Sequence, residues 1–175
     1  LQKQLKFRIK IGCPSMKIRN EWGDFHFAVA IKQSIENSGH ICHIDCLDTW
    51  YDKEPYFADI VLVLRGLSKY NPEHSQLNLM WNISHPDKIT SEEYEQYDYI
   101  FVASKTYYQN LNSSLKVDVL PLLQCTDSTR FNLNTGSAKK HSALFVGNSR
   151  NIYRPIVKDS IDSNKLWVVT HTDKV

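Results

Sequence analysis

The sequence predicts an α/β protein, with a mostly parallel sheet carrying helices on both faces. Three observations predict it. Apolar strand-like runs alternate with helix-like segments from residue 5 to about residue 123, and this alternation makes a parallel sheet with crossover connections. The run Ile60 to Leu64 is apolar at every position, as in a strand covered on both sides. A polar stretch, residues 125–142, halts the pattern, which restarts at Ala143. The layout is Rossmann-like, and the restart reads as a truncated second β-α-β unit.

In order, "LKFRIKIG" (5–12) alternates Leu5, Phe7, Ile9 and Ile11 against Lys6, Arg8 and Lys10. That is a strand with one face more exposed than the other at its start. After the long turn "CPSMKIRNEW", residues 23–40 read as a helix with Asp24 as N-cap and Gly39 just past its end. Ala28, Ile31 and Ile35 share one helical face. "HICHIDCL" (40–47), "ADIVLVLRG" (58–66) and "LNLMWNIS" (77–84) are the next strands. "TSEEYEQY" (90–97) opens with Thr90 and, three residues on, Glu93, a capping-box spacing. "DYIFVAS" (98–104), the short helix "KTYYQNLN" and the strand "KVDVLPLL" (116–123) complete the first domain, residues 1–124. Residues 125–142, rich in Ser, Thr and Asn, read as a linker. In residues 143–175, "ALFVG", "YRPIVKDSI" and "LWVVT" read as strand, helix and strand, with Pro155 in the first helical turn.

Composition narrows the class. The chain has 175 residues, enough to bury a core without disulfide or metal staples. Its formal charge of +2 gives no reason to expect nucleic acid as a partner. No run of 18 apolar residues is present, so no membrane-spanning helix is expected. Four cysteines lie in or beside strand-like runs, and reduced thiols in a cytoplasmic setting are the simpler expectation. Cys42 and Cys46 sit on one strand face with His40 in line and His43 opposite. Such ligands diverge, so buried thiols are expected rather than a metal. No D-x-D motif suggests a bound divalent cation. Neither G-x-G-x-x-G nor G-x-S-x-G occurs, which weakens the dinucleotide and hydrolase alternatives.

In open α/β sheets ligands bind beyond the carboxyl ends of the strands. The residues that follow the strands therefore define a candidate rim: Gly12 to Trp22, then Gly23, Asp24 and His26; Arg65 and Gly66; Ser84, His85, Pro86 and Asp87; Ser104 and Lys105; Gln124 and Thr126; and Gly147, Asn148, Ser149 and Arg150. They supply donors and acceptors suited to a polyol, a sugar or a phosphate.

The segments "WGDFHFAVAIKQSIENSGH", "RGLSKY", "LNLMWNISHPDKIT", "YDYIFVASKTYYQNL", "LLQCTDSTRF" and "ALFVGNSRNIYRPIV" follow one another in that order. Together, over about residues 6–162, they resemble the CgeB-type, spore-protein-like glycosyltransferases of GT-B architecture. The resemblance implies an amino-terminal acceptor domain and the incomplete start of a nucleotide-sugar donor domain. It implies no permanently bound cofactor, a nucleotide-sugar donor, and a polysaccharide, glycan or protein acceptor. The later acidic motif of the family's donor domain has no counterpart here. This chain alone is accordingly expected to be inactive and to supply mainly the acceptor half. Apolar residues of the incomplete unit would favour a homo-oligomer. Activity in the full-length protein would need a base for an inverting transfer, for which His85 is the first candidate and Asp24 the rival. Gly23, His26, Arg65, Asp87 and Gln124 would bind the acceptor. Gly147, Asn148, Ser149 and Arg150 would hold the leaving diphosphate, with Arg150 as its cation by family analogy. Trp22 and Tyr70 could serve as sugar platforms, whereas Trp81, in mid-strand, reads as packing. The alternative is a carbohydrate-binding or assembly module without catalysis.

Overall fold

The computed structural model describes residues 3–128, 144–146, 155–163 and 167–169. The chain divides into two units, Leu1–Asp127 and Ser128–Val175. In the first, the strands are β1 (Lys6–Ile11), β2 (Ile41–Asp45), β3 (Ile60–Arg65), β4 (Leu77–Asn82), β5 (Tyr99–Val102) and β6 (Asp118–Pro121). The helices are α1 (Gly23–Asn37), α2 (Ser91–Tyr94) and α3 (Lys105–Asn112). All six strands pair in parallel, in the order β2-β1-β3-β4-β5-β6. The chain steps outward from β1 to β2, then crosses back to β3 and continues to β6. Its direction of travel reverses between β1 and β3.

That reversal puts the connections on opposite faces, as right-handed crossovers require. On one face α1 buries Ala28 and packs Ile31 and Ile35 with Ile9, Ile11, Ile44, Leu64 and Trp81. On the other, Tyr94 of α2 and Leu111 of α3 join Val61, Val63, Met80, Ile100 and Val102. Helix ends follow local chemistry. Gly39 takes φ +87°, its N–H bonds Glu36 O, and the His40 N–H bonds Ile35 O. This is the paired closure a left-handed residue allows. Ser104 caps α3 by accepting the Tyr107 N–H at 3.2 Å. Thr90 accepts the Glu93 N–H at 3.3 Å, but the Glu93 side chain turns elsewhere, so the expected capping box is half formed.

The charged face of β1 differs from expectation. Lys6 is exposed, but Arg8 and Lys10 are buried. They lie over β2 in register with His43 and Asp45, beneath residues 46–59, which cross the sheet here without an α-helix. Arg8 grips Asp45 with both arms, Nε at 2.7 Å and Nη2 at 2.5 Å. Lys10 Nζ reaches the same carboxylate at 2.8 Å. The remaining donors bond the carbonyls of Asp52 and Trp50 in the covering segment. Burial opposes the Arg8 charge, but the hydrogen bond and charge of Asp45 outweigh it, and the guanidinium stays above its ordinary value. For Lys10 burial wins, and the ammonium lies below its ordinary value despite Asp45.

In the second unit, β7 (Leu144–Val146) and β8 (Trp167–Val169) pair in parallel, with α4 (Pro155–Asp162) between them in sequence. The expected strand, helix and strand are present, and Pro155 opens the helix. No helix among the described residues is long and apolar enough to cross a membrane.

The two glycines flanking α1 should respond differently to a methyl group. Gly23 has open space and an ordinary φ, whereas Gly39 has open space but a left-handed φ. Gly39→Ala should lose about 1 kcal/mol and Gly23→Ala almost nothing. Urea unfolding midpoints at constant m-value measure both.

Candidate functional site

A sheet that reverses direction between two parallel strands leaves a crevice beyond their carboxyl ends, because the flanking loops turn to opposite faces. Here the crevice falls between β1 and β3. Gly12 follows β1 and Gly66 follows β3. A Cβ on Gly12 would meet Ser68 Oγ at 3.5 Å, and one on Gly66 would meet Ser84 Oγ at 3.5 Å and Asp24 Oδ2 at 3.8 Å. Three side-chain oxygens thus stand around two bare glycine backbones, contributed by α1 and by the loops after β3 and β4.

Asp24 does not cap α1. The helix begins one residue earlier, at Gly23, with Trp22 as the N-cap residue and no side-chain cap. Asp24 therefore lies inside the first turn, where the helix dipole favours a carboxylate, and its oxygen is directed toward Gly66. His85 follows Ser84 in the left-handed region, at φ 51° and ψ 51°. Its Nδ1 lies 2.9 Å from Ser84 Oγ. Any residue with a Cβ carries some strain in that conformation, and Pro86 restricts the backbone before it further. Ser84 bonds His85 and also borders Gly66, so it links the imidazole to the rim on which Asp24 stands. Asp87 does not join this group. It is exposed and pairs with Lys88 at 3.5 Å, and it forms no hydrogen bond with His85.

Other rim residues fare differently. Gly23 is exposed at the start of α1, beside Trp22, which is 37% exposed. His26 turns back to the preceding loop, with Nε2 2.9 Å from Asn20 O. Arg65 is not placed to bind a ligand. Only 2% exposed, it bonds Glu93 through Nε at 2.6 Å and Nη2 at 3.1 Å, the Gly66 carbonyl at 2.6 Å and the Lys88 carbonyl at 3.2 Å. Its role is to position the loops after β3 and β4. Gln124 lies past β6, three strands from β3, about 14 Å away at the ordinary strand spacing. Tyr70 is buried, stacked under Tyr51 at 5.2 Å. Trp81 is core, 5.1 Å from Phe27, with its indole N–H on Leu122 O at 2.8 Å. Gly147, Asn148, Ser149 and Arg150 lie outside the described residues, as does most of the stretch read as a linker.

Sequence reading placed Gly12 on the rim after the first strand but missed Ser68. That the two meet becomes visible only once the strand order shows that the loops after β1 and β3 are neighbours. A second concavity lies away from this rim, between β1 and the segments around Tyr51 and Glu73. It encloses only about 20 Å³, room for one water. Gln76 Oε1, which lines it, is buried without a hydrogen-bond partner.

Fold and rim together define a class: a doubly wound α/β domain with its crevice at the β1/β3 switch point. No family model, curated protein or solved structure matches the chain.

The role of Arg65 can be tested by stability. Arg65→Met alone leaves the Glu93 carboxylate buried and unpaired, and should cost about 3–5 kcal/mol. Adding Glu93→Met should restore most of that loss. A single variant of unchanged stability in urea unfolding would contradict a positioning role.

Proposed function

We propose that the first unit is the acceptor half of a GT-B-type glycosyltransferase, which holds a saccharide or a protein-borne hydroxyl at the β1/β3 crevice. The observation that carries this reading is the meeting of Asp24, Ser84 and the Ser84-linked His85 around Gly66. A carboxylate, a hydroxyl and an imidazole at a switch point suit a ligand rich in hydroxyl groups. Backbone at Gly12 and Gly66 lets such a ligand approach closely. The ordered resemblance to CgeB-type enzymes supports the same reading and assigns the nucleotide-sugar diphosphate to Gly147, Asn148, Ser149 and Arg150.

In an inverting transfer the acceptor oxygen attacks the anomeric carbon. The new C–O bond forms as the bond to the diphosphate breaks, and the diphosphate leaves with the electron pair. The acceptor proton must go to a base. When His85 Nδ1–H donates to Ser84, its Nε2 lone pair is left to take that proton. Asp24 then orients the acceptor by accepting from a neighbouring hydroxyl, and Trp22 offers an apolar face to the ring. A second reading, a saccharide-binding module without catalysis, draws support from His85 having no carboxylate partner among the described residues.

The test is saccharide binding by this chain and sugar transfer by a full-length protein that contains it, with a panel of mono- and disaccharides and UDP-, GDP-, ADP-, dTDP- and CMP-sugars. Asp24→Asn should weaken saccharide binding about tenfold or more, the scale of one charge-assisted hydrogen bond. In transfer by the full-length protein, His85→Ala should lower kcat by about 10²–10⁴. His85→Gly should lower it equally while raising stability by about 1 kcal/mol, because it releases the left-handed strain. Saccharide binding by the chain, with no response of the full-length protein to any nucleotide sugar, would favour the second reading. Binding that ignores Asp24 and His85 altogether would remove the crevice from the account.

A further inference from the structure

Sequence spacing groups Cys46 with Cys42, but the fold groups it with Cys13. Cys13 follows β1 and Cys46 follows β2, and the parallel pairing carries on past both strands, with the Leu47 N–H on Cys13 O at 2.9 Å. Cys46 Sγ lies 3.3 Å from Met16 Sδ, and Cys13, whose own thiol donates to Ser15 O at 3.3 Å, shares a buried cluster with Cys46 and acts on its charge. Both thiols are fully buried and unoxidised. Met16 is half-buried, so it is the residue of the three that borders solvent. Two thiols at neighbouring strand ends and a thioether from the loop after β1 therefore lie in one buried cluster.

We propose that Cys13, Met16 and Cys46 form a site for a soft monovalent metal cation, Cu(I). Two thiolates and a thioether are the ligand set such ions prefer over zinc or the hard divalent ions. No group of three or more His, Cys, Asp or Glu among the described residues is arranged to hold a metal; here the third ligand is a methionine. Three sulfurs bound about 2.3 Å from one ion in a trigonal plane stand about 4 Å apart, so the Cys46–Met16 contact of 3.3 Å need only open slightly.

Burial pushes the Cys46 thiol up to about 12, with Cys13 adding to the shift. At neutral pH it is a poor nucleophile. A metal changes this by taking the place of the proton. The cation displaces one proton from each thiol and forms three metal–sulfur bonds, and no electron is transferred. The resulting complex carries one negative charge. Arg19, which donates to Met16 O at 2.5 Å, favours the thiolate of Cys46, and Asp48 opposes it. Metal would tie the loop after β1, which borders the crevice, to the end of β2. The inference does not depend on the proposed function.

The experiment is an anaerobic titration of the full chain with Cu(I), in competition with a colorimetric chelator. It uses a Cys125→Ser background, because Cys125 is an exposed thiol. The expected result is one ion per chain, two protons released and an all-sulfur shell by X-ray absorption. Cys42→Ser should change nothing. Met16→Leu, which keeps the volume, should weaken binding at least about tenfold. Cys13→Ser and Cys46→Ser should abolish it in chains that remain folded by circular dichroism. Absence of tight binding in the Cys125→Ser protein, or wild-type affinity in Met16→Leu, would overturn the proposal.

Discussion

Asp45, buried between Arg8 and Lys10, is the interaction on which the geometry of the first unit depends. A parallel sheet needs both faces covered, and among the described residues no α-helix crosses the second face over β1 and β2. Residues 46–59 cover it instead, an irregular segment whose carbonyls need donors. Arg8 and Lys10 supply them at Asp52 and Trp50, and Asp45 supplies the countercharge. Tyr56 and Trp50 close the arrangement by donating to Phe7 O and Ile11 O, each at 2.9 Å. The end of β1 is thus held from outside the sheet, and with it Gly12 and the loop that borders the crevice. Removing the carboxylate alone would strand two buried cations, whereas removing all three charges together could be nearly neutral. The cluster accordingly specifies the path of the covering segment more than it adds stability.

A second buried ion pair does the same for the other wall. Arg65 ends β3, and its guanidinium joins Glu93 of α2 to the carbonyls of Gly66 and Lys88. Those carbonyls flank the Ser84–His85 turn. Both walls of the crevice are therefore fixed by charges that touch no ligand, while the groups that face it, Asp24, Ser68, Ser84 and His85, remain at the surface or half-buried. That division lets His85 keep a strained backbone, since the loop around it is held at Arg65 and at Pro86.

Much of this was legible in the sequence. Continuous or alternating apolar runs located all six strands of the first unit, and α1 followed from its apolar face and Gly39. Switch-point logic brought Asp24 and His85 to the same rim. What escaped was pairing at long range. Arg8 and Lys10 alternate with apolar residues, as a solvated strand face does, and only the register with β2 shows that Asp45 lies opposite. Arg65 looked like a ligand-binding residue because it ends a strand. Its partner Glu93 is 28 residues away in what read as a capping box. Cys46 has its sulfur neighbours 30 residues or more back along the chain, beyond the reach of local spacing.

The most direct test of the central claim is an amide ¹H–¹⁵N NMR titration of the chain with saccharides, followed residue by residue. The account predicts saturable shifts concentrated at Gly12, Asp24, Gly66, Ser68, Ser84 and His85, with Gln124 and the small cavity at Tyr51 and Gln76 unaffected. Shifts confined to Tyr51, Glu73 and Gln76, or no saturable shift at the β1/β3 crevice with any saccharide, would contradict it.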